Sequence, residues 1–215
     1  KKLSTITRAI RLYSSTGGVE LVPPIAAEFG LKVMLGAWID KNADRNEREI
    51  EAAINLARRN SNVIGVVVGN ETIYRGEQKI DDLIELIKRV RKSVNVPVTT
   101  GEIWNIWRDN PALASNVDFI AAHVLPYWEN YSSDQAVDQA FYRYQLLRDK
   151  FPGKRVMIAE FGWPSAGYNL LNADPGPFQQ AKVLRNFVAR ADSIQMEYNI
   201  VEAIDQPWKF FEGGV

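Results

Sequence analysis

Short apolar runs rich in Val, Ile and Leu recur along the chain, separated by stretches with helical spacing. Seven runs read as strands: residues 8–14 (RAIRLYS), 32–39 (KVMLGAWI), 62–69 (NVIGVVVG), 96–102 (VPVTTGE), 117–124 (VDFIAAHV), 155–160 (RVMIAE) and 199–206 (NIVEAIDQ). Several are nearly continuous and β-branched, as strands of a parallel sheet covered on both faces are. The intervening stretches repeat at helical period. In residues 81–94 Leu83, Ile87, Val90 and Val94 share a face, and in residues 48–59 Ile50, Ala53, Ile54 and Ala57 do. Residues 134–149 put Val137, Phe141, Tyr144 and Leu147 on one stripe with Tyr142 beside it, and residues 178–191 follow suit. Residues 102–117 make a shorter, less regular connection.

This alternation fits a (β/α)8 barrel or a doubly wound open sheet. The open sheet should carry a Gly-rich phosphate turn after an early strand, and LYSSTGGVE imitates one poorly. The barrel predicts functional side chains at the C-terminal ends of many strands. Tyr13, Trp38, Asn70 with Glu71, Glu102, His123 with Tyr127, Glu160 and Asp205 with Gln206 all stand at such ends. The expected fold is therefore an α/β (β/α)8 TIM barrel forming one catalytic domain over residues 1–215. With seven strands counted, the chain is expected to begin after the first strand and to stop before the last helix.

Composition narrows the chemistry. Lys plus Arg and Asp plus Glu number 26 each in 215 residues, so no net charge favours nucleic acid. The absence of Cys excludes disulfides, thiol nucleophiles and Cys-ligated metals, and a single histidine, His123, cannot build a His-based metal site. A Ser-His-Asp triad would need His123, and no G-x-S-x-G elbow accompanies it. No apolar run approaches the ~20 residues of a membrane helix, and the opening KKLSTITRAI is not a signal peptide. Six Trp and eight Tyr, several in loops, suit stacking on flat ligands such as sugars.

Two apolar strands end in a carboxylate, Glu71 and Glu160. At the rim of a barrel mouth such a pair could cleave a glycosidic bond with retention, one acid protonating the departing oxygen while the other attacks the anomeric carbon. Their surroundings must then differ, so that one stays protonated and the other ionised. Asn70 beside Glu71 suits a hydrogen bond to a sugar 2-hydroxyl, and Trp163 a stacking face, with Gly162 and Pro164 making its turn. Taken singly, a strand-end Glu is more often a cap or an ion-pair partner. Glu102 and Glu202 are competing acids, Glu202 lying inside the last strand and aimed at the helices. His123 alone reads as a hydrogen-bonded strand residue, and Phe141, Tyr142 and Tyr144 as packing.

VVVGNE, followed 89 residues later by IAEFGWPSAG, resembles glycoside hydrolase family 17, the β-1,3-glucanase and β-glucan transglycosylase family. The order of RLYS, VMLGAWI, VVVGNE, HVLPYWE and AEFGWPSAG matches it along nearly the whole chain. The resemblance implies a (β/α)8 barrel and a retaining mechanism, with Glu71 as acid/base and Glu160 as nucleophile. It also implies that Tyr13 hydrogen-bonds the nucleophile or a sugar and that His123 and Tyr127 line the cleft. Phe161 stands where plant members carry a small residue or serine, and HVLPYWEN and TTGEIWNIW resemble the bacterial and fungal branch.

The expected activity is hydrolysis of, or glucanosyl transfer on, β-1,3-linked glucan, with Glu102, Trp104 and Trp128 as parts of acceptor subsites. The alternatives are a glucan-binding module without turnover and, far behind, a phosphate-dependent isomerase. No metal or organic cofactor is implied, because two carboxylates suffice. The resemblance further implies a periplasmic, secreted or cell-surface monomer, with a membrane glycosyltransferase as its covalent or physical partner.

Overall fold

The computed structural model describes residues 1–168, 171–204 and 206. Seven strands, β1 (Ala9–Arg11), β2 (Lys32–Ala37), β3 (Val63–Asn70), β4 (Val98–Ile103), β5 (Ile120–His123), β6 (Val156–Phe161) and β7 (Glu197–Ile200), follow one another in chain order in one sheet. The registered pairs β1–β2, β2–β3, β3–β4 and β6–β7 are parallel. Every residue of β5 and β6 is buried, and β2 and β3 expose one residue each. Two-sided burial is what their unbroken apolar runs predict.

The chain divides into two compact units, Lys1–Ala121 and Ala122–Val215. In the first, α1 (Val22–Glu28), α2 (Ala43–Arg59), α3 (Ile80–Ser93), α4 (Trp104–Asp109) and α5 (Pro111–Ser115) follow β1 to β4. Ile50, Ala53 and Ile54 of α2 and Leu83, Ile87 and Val90 of α3 are buried on the expected stripes, whereas Ala57 and Val94 are half-buried at the helix ends. Asn42 caps α2 by accepting from the Arg45 amide, and Arg58 and Arg59 face its negative end. The helix α1 carries Pro23 and Pro24 in its first turn and is only seven residues long, too short to show a periodic stripe. The irregular 102–117 connection resolves into α4 and α5.

In the second unit α6 (Ser133–Lys150) and α7 (Pro177–Ser193) follow β5 and β6. A capping box, Ser132 with Gln135, starts α6. Phe161 stacks on Phe187, ring centroids 3.8 Å apart, and Phe187 meets Phe141 and Tyr198 edge-on. Phe161 thus fills an aromatic core where a small residue would leave a cavity. Three expectations need correction. Tyr142 is 63% exposed, lying off the buried stripe of α6 rather than packing. β7 spans Glu197–Ile200, so Glu202 lies beyond it, exposed and hydrogen-bonded by Gln206, and is not a strand residue facing helices. Gln206 does not end a strand, and Asp205 lies outside the described residues.

Gly36 in β2 is required by the crossing of the chain after β1. A Cβ there would press on the Leu12 carbonyl and lie 2.6 Å from the Tyr13 Cα. Gly36→Ala is expected to destabilise the protein by about 2–3 kcal/mol, since backbone cannot yield as a side chain does. Urea unfolding measures this, and a loss within error of zero would mean the Tyr13 segment is free to move.

Candidate active site

In the first unit the candidate site grows from the end of β3. Gly69 is left-handed (φ 84°), with Thr72 packed where a side chain would go, and Glu71 is itself left-handed at φ 51°. A non-glycine residue in this region is held there by its surroundings. Here the Glu71 amide donates to the Gly101 carbonyl of β4 at 2.6 Å, and the Glu71 carbonyl accepts from the Arg75 amide at 2.8 Å. Asn70 is held by two arginines. Arg11 of β1 donates to its side-chain Oδ1 at 2.7 Å, and Arg75 Nε to its backbone carbonyl at 3.1 Å. The Arg75 guanidinium also reaches the Ile39 carbonyl at 3.1 Å and lies 4.3 Å over the Trp38 ring, while Arg11 covers Tyr13 at 4.7 Å. Both guanidinium groups are thereby spread over aromatic faces and backbone oxygens.

Glu71 is half-buried, and this burial raises its pKa, with Arg75 and then Arg11 pulling it partly back. It therefore holds its proton longer than an ordinary glutamate, as a general acid must. Glu102, at the end of β4, is fully buried; its carboxylate accepts the Ile73 amide at 2.8 Å and the Tyr74 amide at 3.3 Å. Burial pushes its pKa to about 7, and the charge of Glu71 adds to the rise against these two hydrogen bonds and Arg75. With both oxygens engaged and no exposed surface, Glu102 has no face for a sugar, which corrects its expected place in an acceptor subsite.

A raised carboxyl makes a signed prediction for stability. The folded state holds the Glu102 proton up to about pH 7, whereas an ordinary glutamate loses it near 4.5. Between those values the unfolded chain binds fewer protons, so rising pH destabilises the fold through this group. Urea unfolding of wild type and Glu102→Gln is expected to show a stability difference moving in the variant's favour by up to roughly 3 kcal/mol from pH ~4.5 to ~7. A difference flat in pH would place the Glu102 carboxyl at an ordinary pKa.

Glu49, which carried no sequence expectation, organises the adjoining loops. Buried in α2, it accepts from Ser14 Oγ at 2.6 Å, the Ser15 amide at 2.8 Å, the Trp38 amide at 3.1 Å and the Thr16 hydroxyl. One carboxylate thus fixes the segments bearing Tyr13 and Trp38. The available signal was a charge on the apolar stripe of α2, beside Ile50 and Ala53.

The second unit supplies the other acid. Glu160, near the end of β6, is 7% exposed, and its Oε1 lies 3.3 Å from Nε2 of the buried His123 at the end of β5. Their strands are joined by the Val124 amide donating to the Glu160 carbonyl at 2.9 Å. Tyr127 is buried, its phenol pushed up by desolvation, and its hydroxyl donates to the Tyr168 carbonyl. Trp163 meets the Tyr127 ring edge-on at 5.5 Å, donates its indole N–H to the Asp174 carbonyl at 2.9 Å and is 3% exposed. It offers no open stacking face, contrary to expectation, because its ring forms the inner wall of the loop after β6. Asp174 also reaches the first residue of α6, accepting the Ser133 amide at 3.3 Å. Trp128 is 48% exposed and can stack, and Trp104 is half-buried with Arg108 4.9 Å over its ring.

The sequence model of the BtgE/BtgC glycoside hydrolase domain matches residues 1–215. The chain is 27% identical over 237 residues to the probable glucan endo-1,3-β-glucosidase btgC of Aspergillus terreus, covering 96% of this chain and 36% of that protein. It is 27% identical to a glucan 1,3-β-glucosidase of Arthroderma benhamiae, covering 93% of this chain and 70% of that one. The chain spans about a third of the length of the btgC proteins it matches. Among solved structures it resembles the glycoside hydrolase family 17 β-1,3-glucanosyltransferase of Rhizomucor miehei, with TM-score 0.87 and 28% identity over 97% of this chain and 79% of that one. An endo-laminarinase from Formosa, 18% identical with TM-score 0.83, shares the fold. The seven strands are accordingly those of a (β/α)8 barrel fold. The chain belongs to the BtgE/BtgC glycoside hydrolase domain family, and with it to glycoside hydrolase family 17.

Proposed function

We propose that residues 1–215 form one catalytic domain of a retaining β-1,3-glucan hydrolase or glucanosyltransferase, with Glu160 as nucleophile and Glu71 as acid/base. The observation that carries this reading is the contrast between the two strand-end acids. Glu71 is left-handed, half-buried and holds its proton, while Glu160 sits beside an imidazole. In the first step a Glu160 oxygen bonds to the anomeric carbon as the glycosidic bond breaks, and the Glu71 proton passes to the departing oxygen. In the second, Glu71 takes a proton from water or a sugar hydroxyl, whose oxygen attacks the anomeric carbon and releases Glu160. This chemistry requires the two carboxyls ~5–5.5 Å apart.

Asn70, fixed through its Oδ1 by Arg11, keeps its amide N–H groups for a sugar 2-hydroxyl. Tyr13 and Trp38, backed by Arg11 and Arg75, present aromatic groups to the donor sugar, and Trp104 and Trp128 suit the acceptor side. Transfer wins over hydrolysis where such groups hold an incoming sugar in place of water. The named relatives act on 1,3-β-glucan, and this reading extends that substrate to the chain. It also takes the enzyme as a secreted, periplasmic or cell-surface monomer, with a membrane glycosyltransferase as a candidate neighbour.

The test is intact-protein mass spectrometry after incubation with a 2-deoxy-2-fluoro laminaribiosyl fluoride, then peptide mapping. A stable adduct on Glu160 is expected. No adduct and no turnover, from folded protein that binds laminarin, would make the domain a glucan-binding module instead.

A further inference from the structure

Arg143 of α6 is a buried cation, 4% exposed, that the proposed chemistry leaves without a part. Its Nη2 donates to the Glu129 carboxylate, and its Nη1 to Gln139 Oε1 at 3.1 Å, one turn back on the same helix. Its guanidinium carbon also lies 5.1 Å from the centre of the Tyr131 ring. Glu129 and Tyr131 belong to the turn between β5 and α6, which its own backbone closes. The Trp128 amide donates to the Leu125 carbonyl at 3.1 Å, and the Glu129 and Tyr131 amides to the Pro126 carbonyl at 3.2 and 3.1 Å. Asn130 bends the chain at φ 64°, and its Oδ1 accepts the Asn172 amide at 2.8 Å.

Trp128 stands on this turn, beside Glu129, with 48% of its surface open. Its indole meets the Tyr127 ring edge-on at 5.1 Å, and Tyr127 meets Trp163 edge-on at 5.5 Å, three residues beyond Glu160. Within residues 122–215 a row of rings thus leads from the loop after Glu160 out to an open indole. Filling space does not call for a guanidinium on α6, because a well-packed apolar side chain of similar volume often serves a buried position as well. What the planar fork adds is orientation: it grips a carboxylate and stacks on a ring together.

We propose that Arg143 is a positioning residue for acceptor use: it fixes the turn after β5 so that Trp128 stands as a preformed platform for the incoming sugar, and so favours transfer over hydrolysis. The glycosyl–Glu160 ester is broken by the oxygen of either water or a sugar hydroxyl, and the ratio of products reports which one arrives in place. A platform ordered in advance lowers the cost of holding the sugar and does nothing for water. The effect on products rests on the retaining reading proposed above; the ordering of Trp128 does not.

The experiment compares wild type, Arg143→Met and Arg143→Lys as full chains, with p-nitrophenyl β-laminaribioside as donor and laminaribiose as acceptor. In Arg143→Met the ratio of transfer to hydrolysis is expected to fall about fivefold, while nitrophenolate release stays within about twofold of wild type. Arg143→Lys, which keeps the charge but loses the fork, is expected to fall between them. A residue needed only for folding would lower both products alike and leave their ratio unchanged. The same proteins labelled with 5-fluorotryptophan give a 19F signal for Trp128, assigned through Trp128→Phe. In wild type it is expected to be sharp and to move on addition of laminaribiose. In Arg143→Met it is expected to broaden or shift, and to need about fivefold more laminaribiose for the same response.

An unchanged product ratio, or a Trp128 signal unchanged in position, width and laminaribiose response, overturns the proposal. A wild-type signal that ignores laminaribiose overturns it too. If Arg143→Met does not fold, Arg143→Lys decides by the same two measurements. Absence of turnover in wild type would count against the retaining reading instead, and the Trp128 signal would still decide whether Arg143 orders the platform.

Discussion

Glu160→Gln is expected to lower laminarin turnover by at least ~10^4-fold with the fold intact, because an amide oxygen cannot form and release the glycosyl ester that the mechanism requires. The substitution preserves volume at a position 7% exposed in β6 and keeps an oxygen for His123, 3.3 Å away. The backbone bond from the Val124 amide to the Glu160 carbonyl does not involve the side chain at all. Little reason remains for the variant to unfold, and a melting temperature within a few degrees of wild type is the accompanying expectation. Laminarin binding measured on the same variant should persist, since the carboxyl contributes chiefly to the bond-making step. Turnover within tenfold of wild type would remove Glu160 from the nucleophile's role.

The sequence carries the fold where burial is two-sided. Strands such as Val63–Asn70 and Val156–Phe161 are buried along almost their whole length, so their apolar runs were unambiguous and the acids closing them stood out. β1 and β7 read less well: their exposed or half-buried residues leave only three and four positions of pairing inside longer apolar stretches. Helices α2 and α3 were legible because one face of each is solvent and the other core, whereas α1 has two prolines and only seven residues, too few to repeat a stripe.

Within the candidate site, residue type and strand end single out Glu71, Asn70, His123 and Glu160 as candidates, but not what each side chain touches. Trp163 and Glu102 show the difference. Both stand at or just beyond the C-terminal end of a strand, where a barrel fold presents its functional side chains. Trp163 is nonetheless closed in by Tyr127 and Asp174, and Glu102 by the amides of the turn beyond Glu71. Arg75 and Glu49 were invisible for the converse reason. Their sequence neighbourhoods are ordinary helix and turn, and their importance comes from partners 36 and 35 residues away, Ile39 and Ser14. A periodic pattern reports which face is wet, and it says nothing of which distant backbone atom a buried charge will find.

The same contrast decides how the acid/base should fail. Glu71→Gln leaves the anchors of Asn70 in place, since Arg11 and Arg75 hold the Asn70 side chain and backbone without using the Glu71 carboxyl. What the variant loses is a proton that burial keeps available. Protonation of the departing oxygen matters most when that oxygen is a poor leaving group, as a sugar hydroxyl is. Laminarin turnover is therefore expected to fall by about 10^3-fold, whereas the first step on a dinitrophenyl β-laminaribioside, whose phenolate departs unaided, should fall less than about tenfold. The second step still lacks its base, so the glycosyl-Glu160 ester should accumulate and appear as an initial burst of phenolate. Azide needs no base to attack that ester, and adding it should restore steady turnover and release the β-glycosyl azide. A loss that is equal for both substrates and indifferent to azide would show that Glu71 shapes the site without carrying its proton, and the acid would have to be sought among the other groups around β3 and β4.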